Sequence, residues 1–107
     1  AVEVTLAVVA TDVQDREPMG VDTTFAAEVG TVYFYTVFEG DFDELQLEHV
    51  WMHDGEEIAR VPLTVRGPRW RTWSSKEILP TWTGSWTVMV VDSAGNEHAS
   101  AEFTIGG

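Results

Sequence analysis

Tryptophan and arginine are concentrated in one short part of the chain, residues 67–86, which reads GPRWRTWSSKEILPTWTGSW. It holds four of the five tryptophans, and four of the six basic residues lie within it or directly before it. Indole rings offer large apolar faces, and guanidinium groups offer several hydrogen-bond donors in one plane. This combination suits a ligand that has both apolar faces and many hydroxyl groups.

Alternation along a strand determines which of these side chains share a surface. If residues 69–75 form a strand, one side carries Arg69, Arg71 and Trp73, and the other side begins with Trp70. Two arginines cannot be buried without partners, so we expect them to face solvent together with Trp73. Trp70 then turns toward the core, unless a bulge shifts the register.

The segment TVYFYTVFE, residues 31–39, has the same alternation. Val32, Phe34 and Phe38 form its better core face, so we expect Tyr33 and Tyr35 to point outward. If this strand neighbours residues 69–75, as the corresponding strands do in immunoglobulin-like sandwiches, their outer side chains form one face. The sequence thus predicts a flat, aromatic, donor-rich ligand-binding face made of Tyr33, Tyr35, Arg69, Arg71 and Trp73.

Trp82 lies in the connection LPTWTG, between a proline and a glycine. In such a connection its ring either caps the sandwich or stands exposed at the edge, and the sequence does not decide between the two. An exposed Trp82 would extend the predicted binding face, so we include Trp82, and also Trp70, among the candidate ligand-binding residues.

Catalytic motifs are absent from the chain. It has no cysteine nucleophile, no Gly-x-Ser-x-Gly elbow, no His-Glu-x-x-His pair and no phosphate-binding glycine loop. Acidic groups such as those of residues 12–17 and 41–44 supply carboxylates, but glycoside hydrolysis needs two of them at a defined separation across a cleft. We therefore expect a protein that is not an enzyme.

Metal binding has two candidate sites. His49 and His53 are four residues apart, which on a strand separates them by about 13 Å and prevents them from sharing one ion. Residues 39–44 form an oxygen-rich loop that would suit calcium but lacks the spacing of a hand-type site and equally suits an exposed turn. We predict no metal and no cofactor.

Composition limits the partners and the location of the protein. The formal net charge of -12 would repel the phosphates of nucleic acids. No apolar run approaches the roughly 20 residues of a membrane-spanning helix, and the chain starts with an alternating pattern rather than a signal peptide. We expect no nucleic acid and no membrane as partner, and an extracellular or secreted location. The pattern is compatible with a chain trimmed from a larger precursor.

Strands must position all of these residues. A period of two recurs from Val2 to Val13 and in segments that begin near residues 31, 45, 57, 86 and 99, with turn signals at Asp54-Gly55 and residues 92–96. Weaker strands at 23–28 and 69–75 bring the number to about eight. We predict a single all-β domain over residues 1–107, an immunoglobulin-like antiparallel sandwich of two sheets. Alternation places Trp86 in the core and favours the core for Trp51, although two histidines share the side of Trp51.

From about Val8 onward, the chain resembles a bacterial domain family of unknown function that occurs at the ends of larger proteins. The similarity is carried by Trp51 to Gly55, by the Trp-Arg-x-Trp-Ser-Ser-Lys motif that starts at Trp70, and by Trp82 to Val88. The resemblance implies architecture and context but no chemistry.

The residues themselves favour a non-catalytic carbohydrate-binding module of the β-sandwich type that binds a neutral β-glucan, such as cellulose or mixed-linkage glucan, and is fused to a glycoside hydrolase or another larger protein. Pyranose rings stack on aromatic rings while arginine and tyrosine bind the hydroxyl groups. The alternative is a protein-interaction or structural domain of a larger envelope or secreted protein, because tryptophan, tyrosine and arginine also dominate interface hot spots.

Overall fold

The computed structural model describes residues 2–106, which form ten strands. In chain order these are β1 (Val2–Ala10), β2 (Asp12–Gln14), β3 (Glu17–Met19), β4 (Thr24–Phe25), β5 (Thr31–Gly40), β6 (Glu44–His53), β7 (Glu56–Arg66), β8 (Arg69–Glu77), β9 (Gly84–Asp92) and β10 (Glu97–Ile105). No membrane-spanning apolar helix occurs among these residues.

The strands form two large sheets and one hairpin. The first sheet has the order β1-β5-β8, the second has the order β4-β10-β9-β6-β7, and β2 and β3 form the hairpin. Every pairing is antiparallel except the short one between β4 and β10. The strands are distributed between the two sheets as in immunoglobulin-like domains, with β1, β5 and β8 in the first sheet and β6, β7, β9 and β10 in the second. This confirms the predicted all-β sandwich.

Aromatic side chains from both sheets fill the space between them. The ring of Trp51 on β6 meets the ring of Phe34 on β5 edge to face at 6.4 Å, and Trp86 on β9 stacks on Phe103 of β10 at 5.8 Å. All four side chains are buried. The predicted core positions of Trp51 and Trp86 are therefore confirmed, and edge-to-face and stacked pairs of this kind add to the stabilisation from area burial.

The two strands of the hairpin β2–β3 account for the difference between ten strands and the predicted eight. The alternation from Val2 to Val13 breaks at Thr11, and the chain turns back at Asp15 and Arg16, whose φ angles are 51° and 63°. Two successive positive φ angles are those of a tight two-residue hairpin turn, a turn that usually contains Asn-Gly or Asp-Gly. The predicted turn at Asp54-Gly55 does carry that signal and connects β6 to β7.

Candidate functional site

The outer face of the first sheet carries five of the seven residues that the sequence predicted for ligand binding. β5 and β8 are hydrogen-bonded neighbours, as predicted, and residues directly opposite each other in an antiparallel pair project to the same face. The opposed pairs are Tyr33 with Ser75, Tyr35 with Trp73, Val37 with Arg71, and Glu39 with Arg69. The structure therefore brings Tyr33, Tyr35, Arg69, Arg71 and Trp73 onto one face.

Tyr35 is fully buried on this face, so the predicted exposure of its ring is wrong. Its ring stacks nearly parallel on the ring of Trp73 at 5.8 Å, and its hydroxyl donates a hydrogen bond to the backbone carbonyl of Arg16. The physical reason is the hairpin β2–β3, which folds over this part of the sheet instead of extending β1. The buried ring of Tyr35 packs under the exposed ring of Trp73. Tyr33 is half-buried. Because the hairpin covers part of the sheet, the predicted flat face does not form.

Trp73 and Trp70 are both about one third exposed, at 37% and 38%. The exposure of Trp73 agrees with the prediction. Trp70 lies opposite Phe38, which is on the inner face as expected, but Trp70 is not part of the core. β8 is the edge strand of its sheet, so no further strand covers the inner side chain of Trp70 from the side, and it remains in contact with solvent. The predicted burial of Trp70 is therefore wrong.

A groove of about 430 Å³ lies between the hairpin turn and β8, and we name it the arginine–tryptophan groove. It is lined by Arg16, Arg69, Trp70, Arg71 and Trp73. Arg16 comes from the turn between β2 and β3, and the other four come from the first half of β8. Three of the six basic residues of a chain with net charge -12 thus meet at one place.

Arg71 connects the two walls of the groove. Its Nη1 atom donates a hydrogen bond to Oε1 of Glu17 at 2.9 Å and another to the backbone carbonyl of Arg16 at 3.3 Å. A guanidinium–carboxylate pair at this distance is charge-assisted and has a defined geometry. Arg71 therefore holds the hairpin against β8 and maintains the shape of the groove.

Arg16 and Arg69 differ from the other basic residues. Within residues 2–106 neither of them has a carboxylate oxygen within 4.0 Å of its guanidinium, although Glu39 is the residue opposite Arg69. The other four have partners: Arg60 pairs with Glu48 and Glu57, Arg66 with Glu44, Arg71 with Glu17, and Lys76 lies over the ring of Trp82. The groove thus contains the guanidinium groups with free donors.

Trp82 does not belong to the arginine–tryptophan groove. It is half-buried against the core, its ring lies 6.0 Å from that of Trp86, and its carbonyl accepts a hydrogen bond from Nε1 of Trp86 at 3.0 Å. The ammonium group of Lys76 lies 5.3 Å from the centre of its ring. Trp82 therefore caps the sandwich, which settles the choice that the sequence left open.

A chain of buried hydrogen bonds connects the two sheets behind the groove, and we name it the buried polar chain. Its members are Trp51, Ser74, His49 and Thr36. Nε1 of Trp51 donates to Oγ of Ser74 at 3.2 Å, and Oγ of Ser74 lies 2.6 Å from Nδ1 of His49. Nε2 of His49 lies 3.0 Å from Oγ1 of Thr36, which donates to the carbonyl of Thr72 at 3.1 Å.

Only one direction of donation satisfies every member of this chain. The indole N–H can only donate and the carbonyl of Thr72 can only accept, so the Ser74 hydroxyl must donate to Nδ1 and the proton of a neutral His49 must lie on Nε2. Burial lowers the pKa of His49 to about 3, which keeps the ring neutral near pH 7. His49 therefore has a structural role, and both of its ring nitrogens are occupied.

Metal ligation finds no support elsewhere in the part of the chain that the structure describes. Nε2 of His53 hydrogen-bonds to the backbone carbonyl of Thr83 at 2.8 Å, and its ring stacks on Trp86. No group of three or more histidine or carboxylate side chains within residues 2–106 is arranged to hold a metal ion.

Arg16 is the groove residue that the sequence prediction missed. Its position depends on the hairpin β2–β3, whose turn has no glycine or asparagine to mark it. Pro18 gave the one available signal, because proline within a strand indicates an edge or a break rather than a continuous central strand.

Solved structures with the same fold include a β-glucosidase from Listeria innocua. Its complex with glucose matches with a TM-score of 0.54 and 9% identity, and a variant in complex with laminaribiose matches with a TM-score of 0.53 and 8% identity. Each match covers 100% of this chain but only 16% of the β-glucosidase chain. At this identity the similarity shows the fold alone, which occurs there as a part of a larger glycoside hydrolase.

A comparison with the curated proteins finds no match. A comparison with protein families matches residues 44–105, from the start of β6 to the end of β10, which is more than half of the chain. The matched range includes the four groove residues on β8 but not Arg16, and it begins later than the resemblance that the sequence indicated from Val8. The chain belongs to the family described as "Protein of unknown function (DUF2914)".

Proposed function

We propose that this domain is a non-catalytic carbohydrate-binding module that binds a β-glucan chain in the arginine–tryptophan groove. The observation that carries the proposal is the pair of exposed indole rings, Trp70 and Trp73, in a groove that also holds guanidinium donors. The C–H faces of pyranose rings stack on indole, and guanidinium groups donate hydrogen bonds to hydroxyl groups.

The groove is suited to binding rather than to hydrolysis. None of its five lining residues is a carboxylate or a histidine, and Glu17 at its border is ion-paired with Arg71, so the lining itself supplies no general acid or base. The support of Trp73 by the buried ring of Tyr35 holds the indole in place before a ligand arrives, which reduces the entropy lost on binding.

The fold neighbours support a place within a larger protein. In the β-glucosidase from Listeria innocua, whose crystals contain glucose or laminaribiose, a domain of this fold makes up 16% of the chain. By analogy we propose that the present domain is attached to a larger secreted protein that acts on polysaccharides or lies beside them.

Titration calorimetry with cello-oligosaccharides and soluble mixed-linkage β-glucan tests the proposal. We expect Trp73→Ala to weaken binding about tenfold, because one aromatic stacking contact is worth roughly 1.5 kcal/mol. Trp82→Phe is the control, because this residue lies outside the groove and phenylalanine keeps an aromatic ring against Trp86. Absence of binding to every glucan, or equal binding by the folded Trp73→Ala protein, would contradict the proposal.

The alternative of a protein-interaction domain has one observation in its favour. β8 is an edge strand beside the groove, and an edge strand can pair with an extended peptide while the exposed tryptophans supply anchor residues. Sedimentation analysis of the isolated domain distinguishes the two functions, because self-association through β8 would cover Trp70 and Trp73 and compete with glucan.

A further inference from the structure

Two guanidinium groups of the arginine–tryptophan groove have no carboxylate partner within residues 2–106, although the chain is rich in carboxylates. The sequence has 18 acidic residues and 6 basic ones, and Glu39 lies directly opposite Arg69 across the β5–β8 pair. Opposite charges at directly opposed positions normally attract each other. Within residues 2–106, Arg16 and Arg69 nevertheless form no ion pair.

The groove is therefore a local cationic site on a strongly anionic protein. Arg60 and Arg66 are paired with glutamates, so their charge is offset where they stand. At the groove Glu17 pairs with one of the three arginines, Arg71, and the charges of Arg16 and Arg69 are not offset by a contact within residues 2–106. A ligand that brings a negative charge would complete the hydrogen bonding of the two free guanidinium groups, whose planar donors fit a carboxylate.

Resting on the proposed function, we propose that the preferred ligand is a glucan that carries isolated carboxylates, such as a uronic acid unit among neutral sugars. Arg16 and Arg69 bind the carboxylate, and the neighbouring sugar rings stack on Trp70 and Trp73. The two chemistries meet in one groove because the hairpin turn places Arg16 across from the first half of β8.

The net charge sets a limit on the charge of the ligand. Repulsion from a protein of net charge -12 is screened beyond about 10 Å at 0.1 M salt, so a single carboxylate inside the groove experiences mainly the arginines. A polyanion would extend its further charges over the anionic surface outside the groove. The site therefore selects a sparsely charged chain and disfavours a fully charged one.

Three oligosaccharides of equal length test this selectivity by calorimetry: cellohexaose, cellohexaose with one glucose oxidised to glucuronate, and the fully oxidised hexamer. We expect the singly oxidised hexamer to bind about tenfold more tightly than the neutral one, because charge-assisted hydrogen bonds are stronger than neutral ones. The fully oxidised hexamer should bind more weakly than the singly oxidised one, because its further carboxylates lie over the anionic surface outside the groove. The tenfold preference should shrink in 1 M salt, where the screening length is about 3 Å.

Two variants locate the preference at the proposed residues. Arg69→Gln and Arg16→Gly should each reduce the preference for the singly oxidised hexamer to less than threefold. The fold should tolerate Arg16→Gly, because φ at this position is 63°, a value that glycine adopts without strain. Arg66→Gln is the matched control: it removes the same charge on β7, and the preference should stay near tenfold.

Each outcome has a defined meaning. Equal affinity for the neutral and the singly oxidised hexamers overturns this inference and leaves the proposed glucan binding intact. An equal loss of preference in Arg66→Gln also overturns it, because the effect would then come from net charge. If no hexamer binds, the proposed function itself fails and this inference fails with it.

Discussion

Acidification from pH 7.5 to pH 5 should lower the free energy of unfolding by about 2 kcal/mol through His49 alone. The ring is buried and neutral, with its two nitrogens bound to Ser74 and Thr36. Burial lowers the pKa of His49 from 6.5 to about 3 in the folded protein. The unfolded chain therefore takes up a proton at a pH where the folded chain does not.

The sign of this effect follows from proton binding. Above about pH 6.5 both states are neutral at His49, so the full stability is present. Between pH 6.5 and pH 3 the unfolded state binds more protons than the folded state, and stability falls as the pH falls. Below pH 3 both states are protonated at His49, and this contribution stops changing.

Urea unfolding at several pH values between 7.5 and 5 measures the effect, and His49→Gln is the comparison. Glutamine can donate and accept hydrogen bonds but does not titrate, so the variant should lose much less stability over the same range. All other residues are the same in both proteins, so their contributions cancel in the difference. Equal pH dependence of the two proteins would show that His49 is not responsible.

Replacing Ser74 by alanine should lower the free energy of unfolding by about 3 kcal/mol. The Ser74 hydroxyl accepts from Nε1 of Trp51 and donates to Nδ1 of His49, so its removal leaves a donor and an acceptor buried without partners. Each such group costs roughly 1–3 kcal/mol, and the small cavity left by one oxygen does little to relieve this.

Urea unfolding at pH 7.5 tests this prediction, and Ser75→Ala is the control. The two serines are neighbours on β8, but Ser75 is exposed on the outer face opposite Tyr33. Its replacement should change the free energy of unfolding by less than about 0.5 kcal/mol. A cost for Ser74→Ala as small as that of Ser75→Ala would mean that the buried polar chain contributes little to stability.

Alternation predicted most of the fold and one wall of the candidate site. The predicted core residues of β5 are buried, and the predicted outer residues of β5 and β8 share one face. Alternation succeeded here because a shift of one residue would place every apolar side chain of a strand on the solvent side. The ligand-binding roles of these residues stay predictions.

Alternation could not predict the second wall of the candidate site, which is the turn of the hairpin β2–β3. A hairpin that folds over a sheet face depends on a turn at Asp15 and Arg16 that has no glycine, and the sequence around Tyr35 itself carries no sign that this hairpin covers it. Exposure at a sheet edge likewise depends on which strand ends the sheet, and this placed Trp70 outside the core.

His49 shows a further limit of reading one strand at a time. Its position on the core side of β6 conflicted with its polarity, and the conflict is resolved by Thr36 and Ser74, which lie 13 and 25 residues away in sequence. Hydrogen-bond partners on the opposite sheet can be identified only once the packing of the two sheets is known.

The buried polar chain also limits how the two sheets can slide over each other. Apolar contacts between sheets tolerate small displacements, because one methyl group can replace another, whereas a hydrogen bond is lost when its atoms separate by about an ångström. Ser74 faces inward between two outward-facing neighbours, Trp73 and Ser75. The hydrogen bonds that fix the alignment of the sheets therefore also fix the position of Trp73 and of the groove wall to which it belongs.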